Sequence, residues 1–235
     1  MKKYFLILVL LISNSLQADS IFGVYAGVQS WFYDYSGDID SPFGIENLQN
    51  SFDFNNESSL SYFVAIEHAL PLVPNFKLRQ TNFSHSGRSN NTINNPLVET
   101  DIDLSHTDIT LYYELLDNWV NLDLGLSALY FTGNSELASI KNIVRENYSE
   151  FIPALYTKAQ FDLPITDLSA SLTANIGTLT SNSVIDIELA ASYKIGLGFN
   201  LEAGVRKQTV KFEDFNSVNV NTSATGVFAA LNFHF

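Results

Sequence analysis

Cysteine is absent from the 235 residues, so neither a disulfide nor a thiolate metal centre braces this chain. Cations are scarce: 12 Lys+Arg face 25 Asp+Glu, a formal net charge of −13, and such a surface repels nucleic acid and other polyanions. Long apolar runs are missing beyond the first residues, and a mean hydropathy of +0.07 excludes a bundle of membrane-spanning helices. Disorder is excluded from the other side, because 46% of the residues are hydrophobic and 13% aromatic. What remains is one domain of moderate size with enough apolar surface for one core or one closed barrel.

The one dense apolar run opens the chain, in "MKKYFLILVLLISNSLQADS". Lys2 and Lys3 form a positive start, Tyr4 to Ile12 is too short to cross a bilayer, and Ser13 to Ala18 ends in a small residue. Residues 1–18 therefore read as a secretory signal peptide, leaving 19–235 as the mature domain. Without Lys2 and Lys3 the charge balance becomes 10 against 25. A cysteine-free exported protein must be held by an ordinary core or by a sheet closed on itself in lipid.

Alternation of period two dominates the remainder of the chain, in segments as long as a bilayer crossing rather than the five or so residues of an ordinary strand. From Trp119 to Phe131, Val120, Leu122, Leu124, Leu126, Ala128 and Tyr130 share one face and Asn121, Asp123, Gly125 and Ser127 the other. Leu168 to Ile176, Ile187 to Ile195 and Phe199 to Val205 repeat the pattern, and weaker versions cover Leu60 to Glu67, Phe76 to Arg79, Asp108 to Glu114 and Phe151 to Phe161. The phase slips between Leu104 and Ile109, a bulge or loop boundary, and the faces are mixed over Phe22 to Tyr33. With Asn219 to Phe235 this makes ten strands, or eight if Phe76 to Phe83 and Ile102 to Glu114 belong to loops.

Connections sort into two alternating sets. Those at Pro71, Leu115, Pro164 and Gly196 are tight, whereas Asp34 to Ser58, Ser84 to Glu99 and Thr132 to Glu146 are long and polar. Two later ones, near Thr180 to Ser183 and Asp214 to Ser217, are short, so a lopsided outer rim is expected. Short periplasmic turns and longer outer loops are the rhythm of a single antiparallel transmembrane β-barrel, the all-β fold expected here. A secreted sandwich or lipocalin-like barrel also alternates, but gives no reason for aromatics at strand ends such as Tyr62, Tyr113, Tyr130, Tyr193 and Phe199.

The stretch "LSHTDITLYYELLDNWVNLDLGLSALYF", with "EHALPLVPN", "FDLPITDLS" and the closing "FHF", resembles a family of small uncharacterised Gram-negative outer-membrane β-barrel proteins. The resemblance implies a barrel in the outer membrane and transfers no catalytic or ligand-binding residue.

On the polar faces, Glu67, Asp108, Glu114, Asp123, Glu188 and Glu202 meet Lys77, Lys158, Lys194, Arg79 and Arg206. In a bore as narrow as ten strands allow, these charges are expected to pack as an ion-pair network rather than to line a wide channel. His106 and Asp108 share a face and suggest a base with its orienting acid, without a nucleophile or a second dyad beside them. Asp34, Asp38 and Asp40, and Asp101 and Asp103, offer oxygen ligands but lack a Ca²⁺-loop pattern. No catalytic, cofactor-binding or metal residue is therefore assigned, and an enzyme is not expected.

The chain closes on "GVFAALNFHF", whose Val227, Ala229, Leu231, Phe233 and Phe235 form an apolar face ending in an aromatic residue. This resembles the signal by which barrel-assembly machinery takes up its substrates, so the expected partners are that machinery, through the strand ending at Phe235, and outer-membrane lipid with lipopolysaccharide. Nucleic acid is not among them, and a monomer is expected. The expected role is structural or surface-interaction through the outer loops. A narrow pore or small-solute transporter is the second reading, and an omptin-like rim hydrolase the third.

Overall fold

A sheet that is apolar on one face and polar on the other can enter lipid only if it closes, because any free edge would leave backbone N–H and C=O groups without partners. The computed structural model, which describes residues 22–41, 44–49, 57–70, 72–88, 97–117, 119–139, 143–215 and 218–234, shows such a closure. Its strands are β1 (Phe22–Ser41), β2 (Gly44–Asn47), β3 (Glu57–His68), β4 (Asn75–Asn82), β5 (Ser84–Arg88), β6 (Leu97–Asp103) and β7 (His106–Leu116). Then come β8 (Val120–Ser139), β9 (Ile143–Asp162), β10 (Leu168–Leu179), β11 (Asn182–Gly196), β12 (Phe199–Phe215) and β13 (Val218–His234). The expected signal peptide and Phe235 lie outside the described residues.

Ten strands form the barrel wall. Neighbours run β1, β3, β4, β7, β8, β9, β10, β11, β12 and β13, and every pairing is antiparallel. The first and last strands close the ring from Tyr25↔His234 to Asp40↔Asn219. Phe76 to Phe83 and Ile102 to Glu114 are part of the wall, which settles ten strands against eight.

The phase slip near Leu104 is a break in two adjacent strands. β5 and β6 continue β4 and β7 outward past Phe83 and Leu104–Ser105. The Leu104 N–H donates to the Phe83 carbonyl at 2.7 Å, and the Phe83 N–H donates to Ser105 Oγ at 2.9 Å. The inward parity runs unchanged through the break, from Arg79 to His85 and from Thr100 to Asp108, so the slip in the sequence pattern comes from the inward face turning apolar at Leu104.

Outward, the wall is an apolar belt. Leu122, Leu124, Leu126, Ala128 and Tyr130 alternate along β8 over nine residues, about 30 Å of tilted strand and enough for the apolar band of a barrel. Aromatic residues rim the belt at both ends: Tyr113, Trp119, Tyr193 and Phe199 near the short turns, and Phe32, Tyr62, Tyr130 and Phe151 toward the other end. Three of the short turns place Leu72, Ile165 and Leu197 at their tips, with φ of 69°, 67° and 54°, in the left-handed region where only glycine is unstrained.

Much of what reads as outer loop is strand. β1 runs to Ser41 with β2 paired on its edge, β5 and β6 form a hairpin, and β8 and β9 remain paired to Ala138↔Ile143. The physical reason lies inward: Tyr35, Ile39, Phe83, Ile102 and Leu137 are buried above the belt and give these extensions a core of their own.

Closure also depends on one missing side chain. Gly226 stands opposite Tyr33 on β1 and Arg206 on β12, and a Cβ there would collide with the Phe32 carbonyl oxygen. Gly226→Val should lower stability by about 1–3 kcal/mol through overpacking. The check is urea unfolding of the refolded barrel, read as loss of the faster gel mobility of the unheated, folded form.

Candidate functional site

The inward side chains form three layers, and each strand contributes to them in order. Near the short turns the bore is an open polar vestibule of about 340 Å³, lined among others by Tyr25, Tyr112, Tyr156, Lys77, Asp123 and Glu202. Above it lies a charged layer. Above that, the bore is filled by apolar and aromatic residues.

The charged layer joins four strands. Arg79 on β4 donates to Glu188 on β11 at 2.8 Å and to Gln29 Oε1 on β1 at 2.6 Å. Arg206 on β12 makes a bidentate pair with Asp186, Nε to Oδ1 at 2.9 Å and Nη2 to Oδ2 at 2.7 Å. Arg206 Nε also lies 3.2 Å from Glu188 Oε1, and Arg206 Nη1 donates to Gln29 Oε1 at 3.1 Å. Two guanidinium groups and two carboxylates thus compensate one another around an amide, the condition under which buried charge is tolerated. The Arg206 guanidinium stacks 4.6 Å from the Trp31 ring centroid, so the same cation closes the charged layer and begins the aromatic one.

Among the described residues the aromatic layer is closely filled. Trp31 and Tyr35 are fully buried, Trp31 stacks on Phe83 at 5.7 Å, and Phe131 meets Phe212 edge-on at 5.1 Å. Leu129, Ile152, Val184 and Val210 fill the space between them. The inward face is charged mainly in the half nearer the short turns and largely apolar in the other, where ten strands bring opposing side chains close enough to pack as a core.

The expected ion-pair network is present in Arg79, Arg206 and Glu188, joined by Asp186 and Gln29. Lys77, Lys158, Lys194, Glu67, Glu114, Asp123 and Glu202 lie instead in the vestibule. His106 and Asp108 both face inward and are buried, with His106 Nε2 3.8 Å from Asp108 Oδ1, too far for a hydrogen bond. The His106 ring is held otherwise, by the Leu104 carbonyl at 2.9 Å and Gln208 at 3.3 Å, and it packs 4.6 Å from Phe131. This geometry orients a core histidine. Asp34, Asp38, Asp40, Asp101 and Asp103 are spread along β1 and β6, and among the described residues no three His, Asp or Glu side chains converge to hold a metal ion.

Gln29, Trp31, Tyr33 and Tyr35 are not readable from the sequence as interior residues, because both faces of early β1 mix apolar and polar types. The signal that could have found them is parity: all four are odd-numbered and share a face with Tyr25.

Above the belt the electrostatics are local. The Tyr33 hydroxyl and His85 Nε2 are hydrogen-bonded at 2.9 Å, and His85 Nδ1 lies 3.5 Å from the Glu57 carboxylate. Burial among Tyr35 and Phe83 pushes its pKa down to about 4, only partly opposed by the charge of Asp103. At the tip of the β8–β9 hairpin, Arg145 pairs bidentately with Glu136, at 2.9 and 3.0 Å, and holds that carboxyl below its ordinary range. Asp101, directly opposite Glu136 on β6, is pushed up, first by burial and then by Asp103, Glu136 and Glu99.

No known family profile matches the chain, and no curated protein matches it either. Among solved structures it is similar to the outer membrane protease OmpT from Escherichia coli, with 8% identity and a TM-score of 0.63 over 95% of this chain and 100% of that one. It is also similar to the translocator domain of the autotransporter NalP from Neisseria meningitidis, at 12% identity and a TM-score of 0.49, covering 100% of this chain and 95% of that one. A third likeness, to Neisserial surface protein A, has 14% identity and a TM-score of 0.34 over 93% of this chain and 100% of that one. The fold is that of a Gram-negative outer-membrane β-barrel, and its apolar belt fits it to a bilayer.

Two outcomes test the interior. Arg206→Met leaves Asp186 and Glu188 short of a buried partner and should cost about 3–5 kcal/mol in urea unfolding, with part of the loss recovered when Asp186→Asn is added. His85 binds a proton more readily unfolded than folded, so its contribution is complete above about pH 6.5 and is lost as pH falls toward about 4. The outer extension should lose about 3 kcal/mol across that window, and His85→Phe should flatten the dependence, as hydrogen exchange of β5 and β6 can show.

Proposed function

We propose that this is a non-conducting outer-membrane barrel that acts at the cell surface through its outer β extension. The observation that carries the reading is the pairing of a filled bore with strands that continue beyond the belt. Where Trp31, Phe83, Phe131 and Phe212 pack, the bore is closely filled, yet β8 continues past Phe131 for the eight residues Thr132–Ser139, about 25 Å of further strand. A rigid, self-packed extension is a platform on which binding contacts can be placed. Its strand edges and its mixture of Asp38, Asp40, Glu99, Asp101 and paired Arg145 favour a protein or glycan partner over a polyanion.

In this reading residues 1–18 direct export, the barrel-assembly machinery inserts the chain through its closing strand, and outer-membrane lipid with lipopolysaccharide surrounds a monomer. Catalysis has no part in it: His106 and Asp108 are buried beneath Phe131 and do not hydrogen-bond each other. The pore reading draws on one observation, the open polar vestibule, but the bore beyond it is closely filled.

Two measurements test the proposal together. The purified barrel should insert into planar bilayers without discrete conductance steps; recurrent steps would restore the pore reading. Replacing residues 134–147 with a two-residue Asn-Gly turn should leave a folded barrel, judged by gel mobility, while reducing cell-to-cell clumping and surface adherence of expressing bacteria by about half or more. Unchanged adherence would count against the outer extension as the acting element.

A further inference from the structure

The vestibule differs from the charged layer above it in one respect. Six carboxylates line it, Glu67, Glu114, Asp117, Asp123, Asp162 and Glu202, together with three ammonium groups, Lys77, Lys158 and Lys194. None of the three ammonium groups is within ion-pair distance of a carboxylate of the nine, and Glu114 hydrogen-bonds Glu67 instead, although the layer directly above pairs its charges at 2.7 to 3.2 Å. Lys158 stands opposite Asp123 in the β8–β9 register without reaching it. Lys77 is two residues below Arg79 on the same inward face, and its ammonium lies over rings instead of carboxylates, 4.8 Å from Phe63 and 5.7 Å from Tyr156.

The charges are also graded along the bore. Lys77 lies deep, next to the Arg79–Glu188 layer. Asp123 and Glu202 lie at middle depth, with Glu202 held by Ser192 Oγ at 3.2 Å and Asn232 Nδ2 at 3.3 Å. Glu114, Asp117 and Asp162 lie toward the short-turn rim, at the ends of β7 and β9. A cation alone would meet Lys77, Lys158 and Lys194, and an anion alone would face six carboxylates. A molecule carrying both signs satisfies both sets at once, anionic end inward.

We propose that the vestibule is a binding site for a small zwitterion of the amino-acid or short-peptide class, its carboxylate directed at Lys77 and Lys158 and its ammonium at Asp123 and the rim acids. The volume of about 340 Å³ falls at the lower end of small-ligand sites and suits a dipeptide. Tyr25, Tyr112 and Tyr156 provide apolar walls with hydroxyls, and Tyr112 is fixed by donating to Glu67 at 2.6 Å. The site opens at the end opposite the outer extension and does not depend on what that extension binds.

Calorimetry on the whole refolded barrel tests this, with L-alanyl-L-alanine, its N-acetyl derivative and its C-terminal amide as probes. The dipeptide should bind saturably at one site, with each blocked analogue at least about tenfold weaker, a difference of one lost charge contact. Lys77→Met should weaken the dipeptide by about tenfold while leaving the amide unchanged, and Asp123→Asn should do the same with the N-acetyl derivative unchanged. Should Lys77→Met fail to fold by gel mobility, Lys158→Met takes its place. No saturable heat at millimolar dipeptide, or equal affinity for all three probes, overturns the proposal.

Discussion

Everything in this molecule depends on closing the sheet. In lipid there is no water to satisfy an exposed N–H or C=O, so the first and last strands must find each other across the whole chain. They do so through an uninterrupted register of sixteen residue pairs, Tyr25↔His234 to Asp40↔Asn219. Because side chains alternate with period two, that register also decides which residues face lipid and which face the bore. Val28, Phe32, Val227 and Leu231 fall outward, and Gln29, Trp31, Phe228 and Ala230 inward. A slip of one residue would put Trp31 in lipid and Phe32 beside Arg206.

Closure at ten strands then constrains the interior. The bore is too narrow to remain an aqueous channel along its length and too wide for backbone to fill, so side chains must fill it. Charges do so where four strands bring complementary groups to one depth; rings do so above them. The sharing of Arg206 between Asp186 and Trp31 makes the two layers interdependent, since the guanidinium satisfies a buried carboxylate with its edge and an aromatic face with its plane.

Much of the fold was legible in the residues. Outward faces read cleanly, because lipid accepts only apolar side chains and so the alternation there is strict, as in Leu122 to Tyr130. The even strand count, the short turns and the break near Leu104 came from the same pattern. Inward faces were only half legible. On β8 the inward series runs Asp123, Gly125, Ser127 and then Leu129 and Phe131; on β12 it runs Arg206, Gln208 and then Val210 and Phe212. Each polar series turns apolar at one end, and the eye reads that as the end of a transmembrane pattern. It is the start of a second core, where both faces of β8 become mixed because neither is in lipid. Which charges pair could not be read at all, since Arg79, Glu188 and Arg206 are brought together from three strands by barrel geometry, whereas Lys77 and Lys158 carry the same charge and form no close ion pair.

The two ends of the bore consequently have different physics. At the outer end burial is apolar, so the strands can continue beyond the membrane and retain their order without lipid to hold them. At the short-turn end the bore is an open polar cavity, and its charges face that cavity instead of one another. The charged layer is the boundary, and it cannot move in either direction. Shifted outward, its guanidinium groups would leave Asp186 and Glu188 for a layer of mostly aromatic and aliphatic side chains. Shifted toward the turns, its carboxylates would join a vestibule that already holds six. Its present depth is the one at which Gln29, Asp186 and Glu188 leave both arginines compensated, and the asymmetry of the whole barrel arises from it.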